Sequence, residues 1–176
     1  MDIKAKCKFD YDSIRALTHL SLFKKANPKK RLLTMSVISA ILALVIALEA
    51  LIFSDADMVG LLCVVIGIIL LECYLYFLVP RIRYRTLGKI KNAENEYIFS
   101  DNALKVFTKS QEYCGEAEID YSFFVKIYET SKYFFIFQTN NQAFIVDKST
   151  IEGGTVEDVS NKLSAYVKGQ YIICKY

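Results

Sequence analysis

The chain of 176 residues has no tryptophan, one histidine, two prolines and seven glycines. Each scarcity excludes something. His19 has no cysteine or carboxylate near it at ligand spacing, so it reads as a solvated histidine rather than a metal ligand. The five cysteines form no CxxC pair, and Cys63 and Cys73 fall inside apolar runs. A zinc site and a disulfide framework are therefore not expected. No GxxxxGK[ST], GxGxxG or GxSxG segment occurs, and Gly153-Gly154 is only a lead into a helix. Glu116, Glu118 and Asp120 alternate and so share one face of a strand, the pattern of a solvated strand face rather than an acid–base pair. These absences predict a non-enzymatic chain with no catalytic residue, metal or cofactor.

The most informative absence is one of charge. Residues 32–79 contain no lysine or arginine and only four acidic residues. Residues 1–31 carry nine basic and three acidic side chains, residues 80–91 five basic and none acidic, and residues 92–176 eight basic and twelve acidic. Such partition is foreign to a simple soluble globule, and mean hydropathy of +0.26 excludes a disordered chain. The acidic balance beyond residue 91 and the want of a reading motif argue against a nucleic-acid partner.

Leu32 to Phe53 is a run of 22 residues, apolar except at Thr34, Ser36, Ser39 and Glu49. Met58 to Val79 is a second run of 22, apolar except at Gly60, Gly67 and Glu72. About 20 helical residues cross ~30 Å of hydrocarbon, so both runs suffice. The first starts too late and runs too long for a cleaved signal peptide. Four residues, Ser54 to Asp57, join the runs and force an antiparallel hairpin. Lys24, Lys25, Lys29, Lys30 and Arg31 precede it, and Arg81, Arg83, Arg85, Lys89 and Lys91 follow it. Basic residues on one side only place both termini in the cytoplasm of a multi-pass cell-membrane protein. The same collar, Lys24, Lys25, Lys29, Lys30, Arg31, Arg81, Arg83 and Arg85, is the candidate surface for anionic lipid, with Lys4, Lys6 and Lys8 as an added basic face.

Ser36, Ala40, Ala43, Ala47 and Ala50 form a small-residue stripe, as do Gly60, Cys63 and Gly67, and the two are expected to face each other within the hairpin, with a homodimer contact as the alternative. Glu49 lies roughly 6 Å and Glu72 roughly 10 Å from the nearer end of its run. Glu72 is expected to be neutral or hydrogen-bonded. Both acids are candidate intramembrane polar sites: for a proton or ion, for an oligomer contact, or simply tolerated near an interface.

Three domains follow: 1–31, a strand and juxtamembrane helix; 32–79, the hairpin; and 80–176, a β-rich cytoplasmic domain. Ile3, Ala5, Cys7 and Phe9 alternate with Lys4, Lys6 and Lys8, a half-buried strand. Asp12 or Ser13 caps a helix that Asn27-Pro28 ends. Strands are expected near 97–99, 104–108, 114–121, 124–129, 133–137 and 143–146, with a helix from Thr155 to Lys168 stopped by Gly169, then a strand or apolar extension at 171–174. Pairing residues 3–9 with the later strands would hide their edge and make the hairpin an insertion in one α+β domain. A sheet of about six strands with one closing helix has the look of a small pleckstrin-homology-like barrel.

The stretch EIDYSFFVKIYETSKYFFIFQTNNQAFIVDKSTI, preceded by NEYIFSDNALKV and by the two close runs, resembles the YcxB-like family of bacterial membrane proteins. Tyr121-Ser122, Glu129-Thr130, Tyr133-Phe134 and Lys148 occupy the family's marker positions, while Tyr121 stands where the family commonly has tryptophan and Asp147 where it often has proline. The resemblance implies a fold and no biochemical activity. The expected role is binding of a partner protein, a second copy or membrane lipid; the alternative is an accessory subunit of a transporter or secretion assembly.

Overall fold

The computed structural model describes all residues except 1, 24–26, 54–55, 111, 113, 141, 168–169 and 175–176, and the side chains of 50–53, 56–59 and 89. Lys24, Lys25, the Ser54-Asp55 connection and the Gly169 stop lie outside the described residues. The chain divides into two compact units, residues 1–17 with 84–176, and residues 18–83.

The first unit begins with β1 (Ile3–Lys8), whose side chains alternate strictly between buried and exposed. It pairs antiparallel with β2 (Glu94–Phe99), from Ile3 opposite Phe99 to Lys8 opposite Glu94. The strand's edge is thus covered as its alternation predicts, and the intervening chain is an insertion. β3 (Ala103–Lys109) and β4 (Cys114–Asp120) complete a sheet in the order β1-β2-β3-β4. A second sheet holds β5 (Lys126–Glu129), β6 (Tyr133–Phe137), β7 (Ala143–Asp147) and β8 (Tyr171–Ile173) in the order β7-β6-β5-β8, with β8 parallel to β5.

The expected single sheet of about six strands is therefore two sheets of four. The ladder breaks where Asp120 accepts a hydrogen bond from the Ser122 amide and caps a 3-10 turn over Tyr121–Phe123. Tyr121 is fully buried there, donates its hydroxyl to the Ser100 carbonyl at 2.9 Å, and stacks on Tyr166. Phe144 of the second sheet meets Tyr97 of the first edge-to-face, so aromatic rings fill the space between the sheets. Phe134, Phe135, Ile136, Ile145 and Val146 are fully buried, and this run of apolar side chains is the centre of the core.

α1 (Tyr11–Phe23) follows β1, and α2 (Pro28–Phe53) and α3 (Ala56–Cys73) are the two long apolar helices. A π turn over Tyr74–Leu78 leads into α4 (Val79–Arg85). α5 (Val156–Tyr166) starts at Thr155 in a reciprocal capping box with Asp158 and buries Val159 and Leu163. It is entered through Gly153, which has φ +78°, and Gly154, where a Cβ would come within 2.8 Å of the Ile3 side chain. Only glycine lets this loop pass so close to β1. The Lys4–Glu152 bridge lies beside it.

In the second unit, α2 and α3 pack along a seam that is not the expected one. Gly60 and Gly67 have nothing within 4 Å of an added Cβ. The more shielded positions of α3 are Leu62, Val65, Ile69 and Glu72, recurring at three and four. On α2 they include Ser36, Ser39, Ala43 and Ile46. Bulky side chains of α3 fill space left by small ones of α2, which gains more dispersion contact than glycine against alanine.

Candidate functional sites

Pro80 governs the first site. Proline has no amide hydrogen, and its ring displaces the carbonyl four residues back, which here is Tyr76. The helix widens in response, and the Val79 amide bonds to the Tyr74 carbonyl five residues back. The Tyr76 carbonyl finds its donor outside its own helix: His19 Nε2 lies 3.1 Å from it. A carbonyl only accepts, so Nε2 carries the hydrogen. His19 is buried, and its ring stacks on Tyr76 with centroids 4.5 Å apart. The expectation of a solvated histidine is wrong, because its partner is a carbonyl 57 positions away, one whose ordinary helical donor Pro80 removes. Phe23 adds an edge contact to His19 and receives the Arg31 guanidinium at 5.6 Å over its ring. Arg83 Nη1 donates to Ser21 Oγ at 3.1 Å. The C-terminal part of α1 is thus a crossbar between the start of α2 and the segment after α3.

Glu72 lies one helical turn before Tyr76. Both of its carboxylate oxygens are shielded from solvent and have no hydrogen-bond partner among the described residues. Glu49 is exposed on α2, and the structure does not bring the two acids together into one site.

Of the basic collar, Lys29, Lys30, Arg31, Arg81, Arg83 and Arg85 all have exposed side chains. Asn27 Oδ1 caps α2 by accepting from the Lys29 and Lys30 amides, with Pro28 in the first helical position. This cap fixes where those cations leave the helix.

The second site is a polar cluster in the first unit. Glu129 ends β5, and Thr130 folds the chain back to Tyr133 through three hydrogen bonds of 2.9 to 3.0 Å. Lys148, just beyond β7, places Nζ 2.7 Å from Glu129 Oε1 and 4.6 Å from the centre of the Phe134 ring. Glu129 Oε2 accepts from Tyr171 Oη of β8 at 2.5 Å and from Ser160 Oγ of α5 at 3.2 Å. The Lys148 and Glu129 side chains are only 13% and 14% exposed. Burial opposes ionisation of Glu129, yet Lys148, Tyr171 and Ser160 together hold its carboxyl below the ordinary 4.5. Burial, then the neighbouring carboxylate, pushes the Tyr171 hydroxyl up, which keeps it a donor. A carboxylate so fully engaged and so weakly basic is suited to locking four elements together, not to taking a substrate's proton.

Of the marker residues read from the sequence, Glu129, Thr130, Tyr133, Phe134 and Lys148 belong to this cluster or its turn, whereas Tyr121 and Ser122 lie in the turn that Asp120 caps. Asp147 fills its place by accepting from the Ser149 amide at 2.9 Å and hydroxyl at 2.7 Å. Ser160 and Tyr171 were not legible, since neither belongs to a motif. Cys7 and Cys174 are buried while Cys63, Cys73 and Cys114 are exposed, all as free thiols. Burial, with smaller contributions from Asp147 and Asp10, raises the Cys7 thiol to about 12, so it stays protonated. Among the described residues no group of three or more histidine, cysteine or acidic side chains is placed to hold a metal.

No curated protein and no solved structure matches the chain. Residues 99–163 match the family model described as YcxB-like protein. That span runs from the end of β2 to the buried face of α5, takes in Glu129, Lys148 and Ser160, and is the part of the chain that is similar to the YcxB-like family.

Proposed function

We propose that the protein is a non-enzymatic, two-span membrane protein that works by binding, with both termini in the cytoplasm. The observation that carries this reading is the exposure of α2 and the helical segment beginning with α3. The apolar stretches Pro28–Glu49 and Gly60–Arg85 are each long enough to cross a bilayer, and only 11% of each apolar window is buried. Leu33, Leu44, Leu70 and Val64 are among many large apolar side chains more than half exposed. In water such a surface costs roughly 25 cal/mol per Å², a cost that acyl chains remove. The exposed cations Lys29, Lys30, Arg31, Arg81, Arg83 and Arg85 then serve as an anionic-lipid collar and set orientation. The unit of residues 1–17 and 84–176 is the binding module for a partner protein, a pleckstrin-homology-like arrangement of two sheets and a C-terminal helix.

The test is extraction and labelling. The full chain is expected to stay in the membrane pellet in alkaline carbonate and to leave it only with detergent. An Asp55→Cys variant, made with the native cysteines replaced, is expected to react with an impermeant maleimide from outside whole cells, whereas a cysteine at either terminus is not. Recovery in the carbonate supernatant, or labelling of a terminus from outside, overturns the reading.

A further inference from the structure

The two sheets of the first unit have four edges, and they are not alike. The β1 edge is occupied: the Lys4 and Glu152 backbones exchange hydrogen bonds of 2.8 and 2.9 Å, and Thr150 Oγ1 bonds both the amide and the carbonyl of Lys6. β7 packs against β1. β8 is only three residues long. β4 is seven residues long, five of its side chains are exposed, and no strand among the described residues pairs with its outer edge. Its ladder to β3 is continuous from Ala103 opposite Asp120 to Lys109 opposite Cys114. It has no bulge or proline, and the charges it carries, Glu116, Glu118 and Asp120, are all acidic, which discourages an acidic or neutral strand but not a basic one. Its alternate backbone amides and carbonyls therefore stand ready for one more strand.

The side chains say what that strand must carry. On the outer face, register aligns Lys4, Ile98, Lys105 and Glu118 in one row across the sheet. The next row reads Lys6, Glu96, Phe107 and Glu116. Both rows start with lysine on β1 and end with glutamate on β4, and only Glu118 has an ion partner given by the ladder, Lys105 at 3.7 Å. A strand added to β4 would lie directly opposite Glu116 and Glu118. Opposite charges across a strand pair attract and like charges repel, by about 0.2–1 kcal/mol each.

We propose that the β4 edge is a docking site for an extended segment of a partner protein with lysine or arginine at every second position. Backbone hydrogen bonds supply affinity and the acidic row supplies selection. A second copy of this chain is the less fitting occupant, because β1, the strand with this pattern among the described residues, pairs with β2 on one side and is held by Thr150 and Glu152 on the other. The inference deepens the proposed function by naming the partner's chemistry.

The experiment uses the full chain in nanodiscs and a fluorescent nine-residue peptide alternating lysine and valine, read by anisotropy. Saturable binding is expected, weakened about tenfold by Glu116→Gln with Glu118→Gln and further by Glu116→Lys with Glu118→Lys. Replacing the peptide's lysines by glutamate is expected to abolish it. Two further peptides carry N-methyl groups on alternate amides, one on each edge; one is expected to fail and the other to bind. Equal binding by both, no saturable binding, or displacement of the peptide by self-association through Cys114 cross-links overturns the proposal. A protein that resists carbonate but binds no peptide loses this inference and keeps its membrane assignment. One that binds the peptide but washes off membranes does the reverse.

Discussion

At the scale of single residues, the decisive groups are those whose partners lie far away in sequence. Glu129 draws its donors from positions 148, 160 and 171. Its carboxyl ionises more readily folded than unfolded, so the stability it contributes is present above the ordinary 4.5 and is lost as pH falls through the lower, folded-state value. Chemical denaturation between pH 7 and pH 3 should show that loss. Glu129→Gln should lower stability at pH 7 by about 3 kcal/mol, since it leaves the Lys148 ammonium buried beside an amide. The variant should also flatten the acid limb of the profile. An unchanged acid limb would show that the cluster is not what acid disrupts. The positions Glu129 and Lys148 were marked in the sequence by the resemblance to the YcxB-like family. Their pairing was not, because it is set by how β5 and β7 flank β6.

At the scale of elements, the π turn is the feature that sequence pattern could least supply. Hydropathy records a continuous apolar run through Val79 and takes no account of the hydrogen bond that Pro80 deletes. The consequence is a pair of coupled residues. His19→Ala removes the hydrogen bond to the Tyr76 carbonyl and a stacked ring, and should cost about 2 kcal/mol in thermal unfolding of the detergent-solubilised protein. Pro80→Ala restores an amide at position 80, which lets the helix recover its ordinary bond to Tyr76. In that background His19→Ala should cost roughly half as much, a coupling that a double-mutant cycle reads directly. Additive effects would mean that the histidine acts only through packing. The strands tell the opposite story. β1 was legible in full, since period-two alternation demands a buried face, and the turn chemistry of Ser100 to Asn102 and of Thr130 to Lys132 located the following strands. The division into two sheets was hidden because nothing local says that the strands on either side of the Asp120 cap have different partners. The parallel pairing of β5 with β8 is equally non-local.

At the scale of the whole molecule, the order of elements along the chain makes a prediction of its own. One folded unit is assembled from residues 1–17 and 84–176, and the residues between them form another. An insertion is tolerated when the ends it enters through lie close together in the host. Here Tyr11 and Tyr84 touch edge-to-face with ring centres 5.9 Å apart, and the Tyr84 hydroxyl donates to Asn92 at 3.0 Å. The host therefore needs no long span to reconnect. Replacing residues 18–83 with a short glycine–serine linker should give a water-soluble protein, because most of the exposed large apolar side chains leave with the hairpin. The loop-closure cost of such a linker grows only slowly with its length, about 0.6 kcal/mol per doubling, so several linkers should serve. The measurement is amide exchange with a nuclear Overhauser contact between Ala5 and Tyr97, which face each other across β1 and β2. Protected amides in both strands are the expected result, since Ala5 and Tyr97 are 1% and 0% exposed. Removing residues 1–9 from the same protein should expose the β2 edge and collapse that protection. A shortened protein that stays folded without β1 would mean that the first strand decorates the sheet, and that the hairpin is joined to the domain rather than threaded through it.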